Sequence, residues 1–196
     1  MFAILSYMKP LTPTTPHVII MVGIPGAGKT TFAAHFAKTF HAPYINPIDI
    51  AADTDISPES AIKVTDILFR ELLKTNRTLI YEGPTNTKLQ RLAILKKVTH
   101  AGYKPLLVWV QTESVEAKRR ATKQQKTGRP ISPATFDAAI KRFQPPLAVE
   151  KPIVISGKHT YATQVKSVLK HLAGARPDVP ITESPRPHTG RSITIR

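Results

Sequence analysis

The segment Gly23-Ile24-Pro25-Gly26-Ala27-Gly28-Lys29-Thr30 combines residue types and spacing suited to holding a polyphosphate. It follows the pattern G-x-x-x-x-G-K-[ST], in which glycines let backbone N–H groups converge on phosphate oxygens, the lysine reaches the β and γ phosphates, and the hydroxyl ligates Mg²⁺. A helix starting at Lys29 adds the positive end of its dipole. The expected nucleotide contacts are therefore Gly23, Pro25, Gly26, Ala27, Gly28, Lys29, Thr30 and Thr31, with Thr30 as a metal ligand. ATP and Mg²⁺ are the expected cofactors.

Such a cradle works only between a buried strand and a helix, and the flanking sequence supplies both. HVIIMV, from His17, is a short apolar run rich in β-branched residues, the mark of a strand covered on both faces. TTFAAHFAKTF follows, with Phe32, Phe36 and Phe40 recurring every four residues.

Beyond it the chain reads as strands alternating with helices. A short strand around Pro43 to Asn46 leads to a polar loop carrying Asp49, Asp53 and Asp55. Ser57-Pro58 then caps a helix whose apolar face is Ala61, Val64, Ile67, Leu68 and Leu72. RTLIYEG is a third strand, Lys88 to His100 a helix, and KPLLVWVQT a fourth strand, with Trp109 in its core. Glu113 to about Lys126 reads as a helix with Thr112 as cap, broken at Gly128-Arg129-Pro130. Ser132-Pro133 opens another helix, PIVIS is a fifth strand, and the last helix buries Val165, Val168, Leu169 and Leu172. Together with the cradle, this alternation predicts an α/β, three-layer P-loop NTPase fold, a five-stranded mostly parallel sheet with helices on both faces.

At 196 residues the chain suits one α/β domain with tails. Residues 1–16, with Pro10, Pro13 and Pro16, read as a flexible leader, 17–173 as the domain with its lid at about 113–131, and 174–196 as a disordered, basic, proline-rich tail. The absence of cysteine excludes a disulfide scaffold, a cysteine-ligated zinc module and a cysteine nucleophile. No apolar stretch approaches the roughly 20 residues of a membrane span, and the N-terminus lacks a signal-peptide pattern. A cytoplasmic location without membrane partners is the expectation. A formal charge of +15 favours anionic partners, and six basic residues without an acid lie between Lys118 and Arg129.

The chain contains no N-K-x-D or T-K-x-D run to read guanine and no D-x-x-G switch, and a single short domain leaves no room for the helical subdomain of a typical AAA+ motor. The remaining motifs, GIPGAGKTTFA, YINPID, YEGPTNTKLQR, RRATKQQKTGRP and FQPPLAVEKPIVI in that order, resemble those of the P-loop kinases that include polynucleotide kinases and zeta-toxin-type kinases. The resemblance spans roughly His17 to Leu172, and only its P-loop is highly specific. It implies that Asp49 accepts the proton of an acceptor hydroxyl, with Asp53 as the fallback. It also implies that Glu82 holds Mg²⁺ through water or orients the substrate, and that Asn86 and Arg91 contact the acceptor. Ala52 stands where that family carries an arginine. Arg119, Arg120 and Arg129 are lid candidates for the charge that develops on the transferred phosphoryl group, a role worth about 10³ to 10⁵ in rate. The loop Gly157-Lys158-His159-Thr160 falls where such kinases contact adenine.

Three functions follow as expectations. The first is transfer of the γ-phosphate of ATP to the 5′-hydroxyl of RNA, DNA or a nucleoside. The second is a zeta-toxin-like kinase of a nucleotide sugar or other small molecule. The third is an ATP-gated nucleic-acid-binding module without transfer.

Overall fold

A computed structural model describes residues 15–123 and 130–173. Five strands, β1 (His17–Val22), β2 (Tyr44–Ile45), β3 (Leu79–Tyr81), β4 (Lys104–Gln111) and β5 (Ile153–Ser156), form one sheet in the order β2-β3-β1-β4-β5. All four pairings are parallel, with Val18 opposite Leu79 and Pro105, and Val108 opposite Ile153. The helices are α1 (Lys29–Phe40), α2 (Pro47–Thr54), α3 (Pro58–Leu73), α4 (Lys88–His100), α5 (Ser114–Thr122), α6 (Pro133–Arg142) and α7 (Tyr161–Ala173). The expected three-layer α/β fold is thus present, and its sheet is wholly parallel.

Every residue of β1 is buried, because the strand lies at the centre of the sheet with helices against both faces. Alternate side chains divide between two cores. Ile19 and Met21 pack with Phe32, Phe36 and Phe40 of α1 and with Val168 and Leu172 of α7. Val18 and Ile20 pack on the other side with Phe69 of α3 and Ile94 and Val98 of α4. Each of the three α1 phenylalanines, at most 5% exposed, contributes about 1.5–3 kcal/mol by burial.

Because β1 connects to β2 across the position that β3 fills, and β4 lies on the opposite side, the chain changes direction beside the C-terminal end of β1. In parallel α/β sheets this is where ligands bind. The loops after β1, β2, β3 and β4 converge there. No helix among the described residues is long and apolar enough to cross a membrane.

Local structure departs from expectation in three places. The segment carrying Asp49 and Asp53 is a helix: the Asn46 side chain accepts from Ile48 N at 3.0 Å, and Pro47 occupies the first turn, the same cap-then-proline signal as Ser57-Pro58. In α3 the buried residues are Ala61, Thr65, Phe69 and Leu73, leaving Ile67 and Leu68 52% and 44% exposed. The Phe69 ring meets Tyr81 of β3 at 4.8 Å between centroids, and Phe69 and Leu73 join the core on that side of the sheet. Glu113, not Thr112, occupies the N-cap position of α5, without a side-chain cap bond, and the Thr112 hydroxyl donates instead to the carbonyl of Ala27 at 3.0 Å. The expected leader up to residue 14, the tail and Arg129 lie outside the described residues.

Candidate active site

The β1–α1 loop takes backbone conformations that glycine permits. Gly23, Gly26 and Gly28 have φ of 149°, 74° and 107°, and a Cβ on Gly26 would stand 2.1 Å from the carbonyl oxygen of Ala117 in α5. The cradle and the first helix of the lid are therefore in direct backbone contact. A second close approach fixes the far side, where a Cβ on Gly157 would lie 2.0 Å from the oxygen of Ala27. The β5–α7 loop is thereby seated on the cradle.

Lys29 donates to the carbonyl oxygen of Ile24 at 3.1 Å, so its ammonium lies over the loop. Burial lowers its pKa, against the pull of Glu82, which raises it. An anionic phosphate at this position would add to the pull of Glu82 and offset the cost of burying the ammonium. The Thr30 hydroxyl donates to Glu82 Oε1 at 3.0 Å. That leaves the lone pairs of Thr30 Oγ1 available to a cation.

Glu82, 5% exposed, directly follows β3 and is the hub of a polar chain. Its Oε2 accepts from Tyr44 at 2.8 Å. The Asn46 amide donates at 3.1 Å both to the Tyr44 oxygen and to Asp49 Oδ2. This chain joins the cradle, β3, β2 and α2, so that Thr30 and Asp49 are held by connected hydrogen bonds. Burial, and then the nearby negative charge and hydrogen bond of Glu82, push the Tyr44 phenol well above its usual range, keeping it a donor. The Asp49 carboxyl titrates above its ordinary value: partial desolvation raises it, the Asn46 hydrogen bond lowers it, and the charge of Asp53 raises it further. Although the residue as a whole is exposed, its carboxyl borders a cavity of about 210 Å³ that Gly26, Lys29, Thr30, Glu82 and Arg120 also line.

The lid candidates separate. Arg120 borders that cavity, donates to Glu116 at 2.7 Å and to the carbonyl of Gly157 at 3.0 Å, and bridges α5 to the β5–α7 loop. Arg119 is 55% exposed, outside the cavity lining, and forms a two-point pair with Glu116 at 2.7 Å. Hydrogen bonds from Arg119 and then Arg120 draw the Glu116 pKa down to about 2. Lys123 also borders the cavity.

Arg91 corrects the sequence reading. Its side chain is 0% exposed and donates from Nε and Nη2 to the two oxygens of Glu150 at 2.6 and 2.9 Å. Nη1 donates to the carbonyls of Thr85 and Gln144 at 3.2 and 2.7 Å. A guanidinium engaged in this way ties α4 to the segment before β5 and is closed to an acceptor. Asn86 is exposed in the β3–α4 loop, outside the cavity lining, with its carbonyl accepting from Gln144 N at 2.8 Å.

A larger cavity, about 830 Å³, opens beyond the ends of β4 and β5, bordered by Ile24, Trp109, Thr112, Ser156, Lys158 and His159. Trp109 is half-buried on its wall rather than fully within the core. Two participants eluded sequence reasoning. Tyr44 carries no motif of its own, and Thr112 meets Ala27 only through the fold.

A wholly parallel sheet, a glycine-built phosphate cradle after its central strand and a covering arginine-bearing helix define the P-loop kinase fold. The family model described as an AAA domain matches residues 18–146, and the chain belongs to that family. The fold is similar to that of Chaetomium thermophilum Kti12, solved with ADP-AlF3, at 13% identity and TM-score 0.66, covering 82% of this chain and 100% of that one. It is similar to the Mycobacterium tuberculosis APS kinase CysC in complex with AMPPNP and APS, at 14% identity and TM-score 0.57, covering 82% and 99%. A chain of the Pnkp1/Rnl/Hen1 RNA repair complex matches at 22% identity and TM-score 0.57, over 65% of this chain and 44% of that one. Among curated proteins there is no significant match.

Proposed function

We propose that this protein transfers the γ-phosphate of ATP to a hydroxyl acceptor. The observation that carries the reading is the single cavity on which Lys29, Thr30, Glu82, Asp49 and Arg120 converge. ATP lies with its phosphates in the cradle and its base in the larger cavity beside Gly157-Lys158-His159-Thr160. The residues present suit Mg²⁺, which favours few protein ligands together with phosphate oxygens and water. Thr30 would hold it with Glu82 behind, and it would neutralise charge on the β and γ phosphates.

The protein's own part in the reaction is positional and electrostatic. Asp49 accepts the proton of the acceptor hydroxyl as the new O–Pγ bond forms. The bond between Pγ and the β,γ-bridging oxygen breaks, and its electron pair stays on the β-phosphate of ADP. Lys29 and Arg120 face the oxygens of the moving group, and Arg129 is the further lid candidate. Asp49 is better placed than Asp53 as base, since it borders the phosphate cavity whereas Asp53 borders only the cleft beside it. Arg119, paired outward, acts through Glu116 to hold Arg120 in place.

Both hydroxyl acceptors expected from the sequence, a 5′-hydroxyl of RNA, DNA or a nucleoside and a nucleotide sugar or other small molecule, use this chemistry. The test is incubation with γ-labelled ATP and representatives of each class. Transfer of label to any of them supports the kinase reading. Label released only as free phosphate would leave the ATP-gated nucleic-acid-binding module, whose salt-sensitive binding should then fall on deletion of residues 174–196.

A further inference from the structure

Beside the phosphate cavity lies a cleft of about 820 Å³, formed by α2, the turn after it and the start of α3. The two spaces share Ile48 and Asp49, so a molecule in the cleft can present a group to the carboxylate that faces the phosphates. The cleft's walls are apolar, with Ile48, Ile56 and Ile62. Ile48 and Ile62 are 62% and 44% exposed and, with Ile56, offer apolar surface to a molecule in the cleft. Asp49, Asp53 and Asp55 supply its ionisable groups, and among the described residues no lysine, arginine or histidine lines it. Ala52, also on the wall, leaves room where a longer side chain would reach in. An acidic cleft in a chain of net charge +15 runs against the field of the whole molecule.

We propose that this cleft is the acceptor subsite and that it selects an alcohol carrying an ammonium group on an apolar frame, disfavouring anionic acceptors such as polynucleotides and nucleotide sugars. The inference rests on the kinase reading for its chemistry but not for its binding selectivity. The ammonium lies towards Asp53 and Asp55 while the hydroxyl reaches Asp49, which takes its proton as the O–Pγ bond forms and ADP departs. Apolar carbons cover the isoleucines. A phosphate in the same cleft would meet three carboxylates with no basic side chain among the described lining residues to offset them. At roughly 5 Å, with water-like screening, each carboxylate changes affinity about 4-fold per unit ligand charge. Two therefore favour a monocation over its neutral counterpart by roughly 16-fold.

The test uses the full chain with a non-hydrolysable ATP analogue and isoleucine δ1-methyl NMR. The probes are fragment alcohols in matched sets that share a skeleton and differ as amine, acetamide and succinamate. The amines are expected to shift the methyls of Ile48, Ile56 and Ile62 at about tenfold lower concentration than the acetamides, and the succinamates to bind weakest. The double variant Asp53→Asn, Asp55→Asn should abolish most of that preference while keeping the methyl shifts of the neutral set. Equal binding across the three charges, tighter binding of the succinamates, or no shift of these methyls by any set overturns the proposal. A parallel arm with γ-labelled ATP separates the two readings. Label on a 5′-hydroxyl oligonucleotide but not on an amine leaves the kinase and overturns the cleft's selectivity. Amines that bind the cleft without accepting label retain the selectivity as binding and refute transfer to them.

Discussion

Replacing Arg91 should cost stability, not acceptor affinity. The Arg91–Glu150 pair is enclosed, with side chains 0% and 4% exposed, and the same guanidinium satisfies the carbonyls of Thr85 and Gln144. Arg91→Ala leaves the Glu150 carboxylate with only its bond from Leu147 N and takes a donor from the Thr85 and Gln144 carbonyls, and breaking a buried pair in this way costs about 3–5 kcal/mol. For a chain of this size each kcal/mol lowers Tm by about 2–4 °C, so the loss is roughly 6–20 °C. Replacing both partners by apolar residues, Arg91→Met with Glu150→Leu, removes the charges together and should recover most of that loss. Arg91 and the Leu147 backbone hold the Glu150 carboxyl below its usual 4.5. The unfolded chain therefore takes up the proton first as the solution is acidified. The pair's contribution is fully present above the unfolded value and is lost as pH falls through the lower, folded one. Urea unfolding of the wild type, the single variant and the double variant at neutral pH and at pH 4 measures all of this. If Arg91→Ala unfolds within about 1 kcal/mol of the wild type and instead raises the acceptor KM, the structural assignment is refuted.

Three further outcomes follow from the site. Lys29→Ala removes a charged donor from the phosphates and should weaken ATP binding by about 10- to 150-fold, measured by calorimetry. Gly26→Ala forces a Cβ to within 2.1 Å of the Ala117 carbonyl at a positive φ; it should abolish ATP binding, and unchanged affinity would mean that the cradle and α5 are not in contact. Asp49 must be ionised to accept a proton, and its carboxyl titrates above 3.8, so kcat/KM should rise with pH through a midpoint above that value. Asp53→Asn, by removing the like charge, should move that midpoint down.

What the sequence disclosed about this molecule was whatever local chemistry fixes. The cradle and the buried strands are legible because glycine spacing and β-branched runs act within a few residues, and the α4 bounds, Lys88–His100, match the expected ones, with a reciprocal Thr87–Gln90 cap at its start. The acids of α2 read as a polar loop, although Asn46-Pro47 carries a helix-start signal. The rotation of α3 could not be read. Apolar residues surround much of that helix, and its buried face is selected by tertiary packing, with Phe69 and Leu73 in the core against the sheet and α4. Glu82 was legible as an acid ending a buried strand, but Tyr44, its second donor, was not. The role of Arg91 is hidden from the sequence because its partner is 59 positions away, and an arginine near a helix start looks the same whether it faces a ligand or a buried glutamate.

Transfer to a hydroxyl depends on Asp49 as its base. The direct measurement is single-turnover transfer from γ-labelled ATP by the wild type and by Asp49→Asn, beside the ATP affinity of each. Asparagine preserves size and a hydrogen bond to Asn46 but cannot take the proton, so transfer should fall by about 10²-fold or more with ATP affinity unchanged. Near-normal transfer by Asp49→Asn would contradict the account.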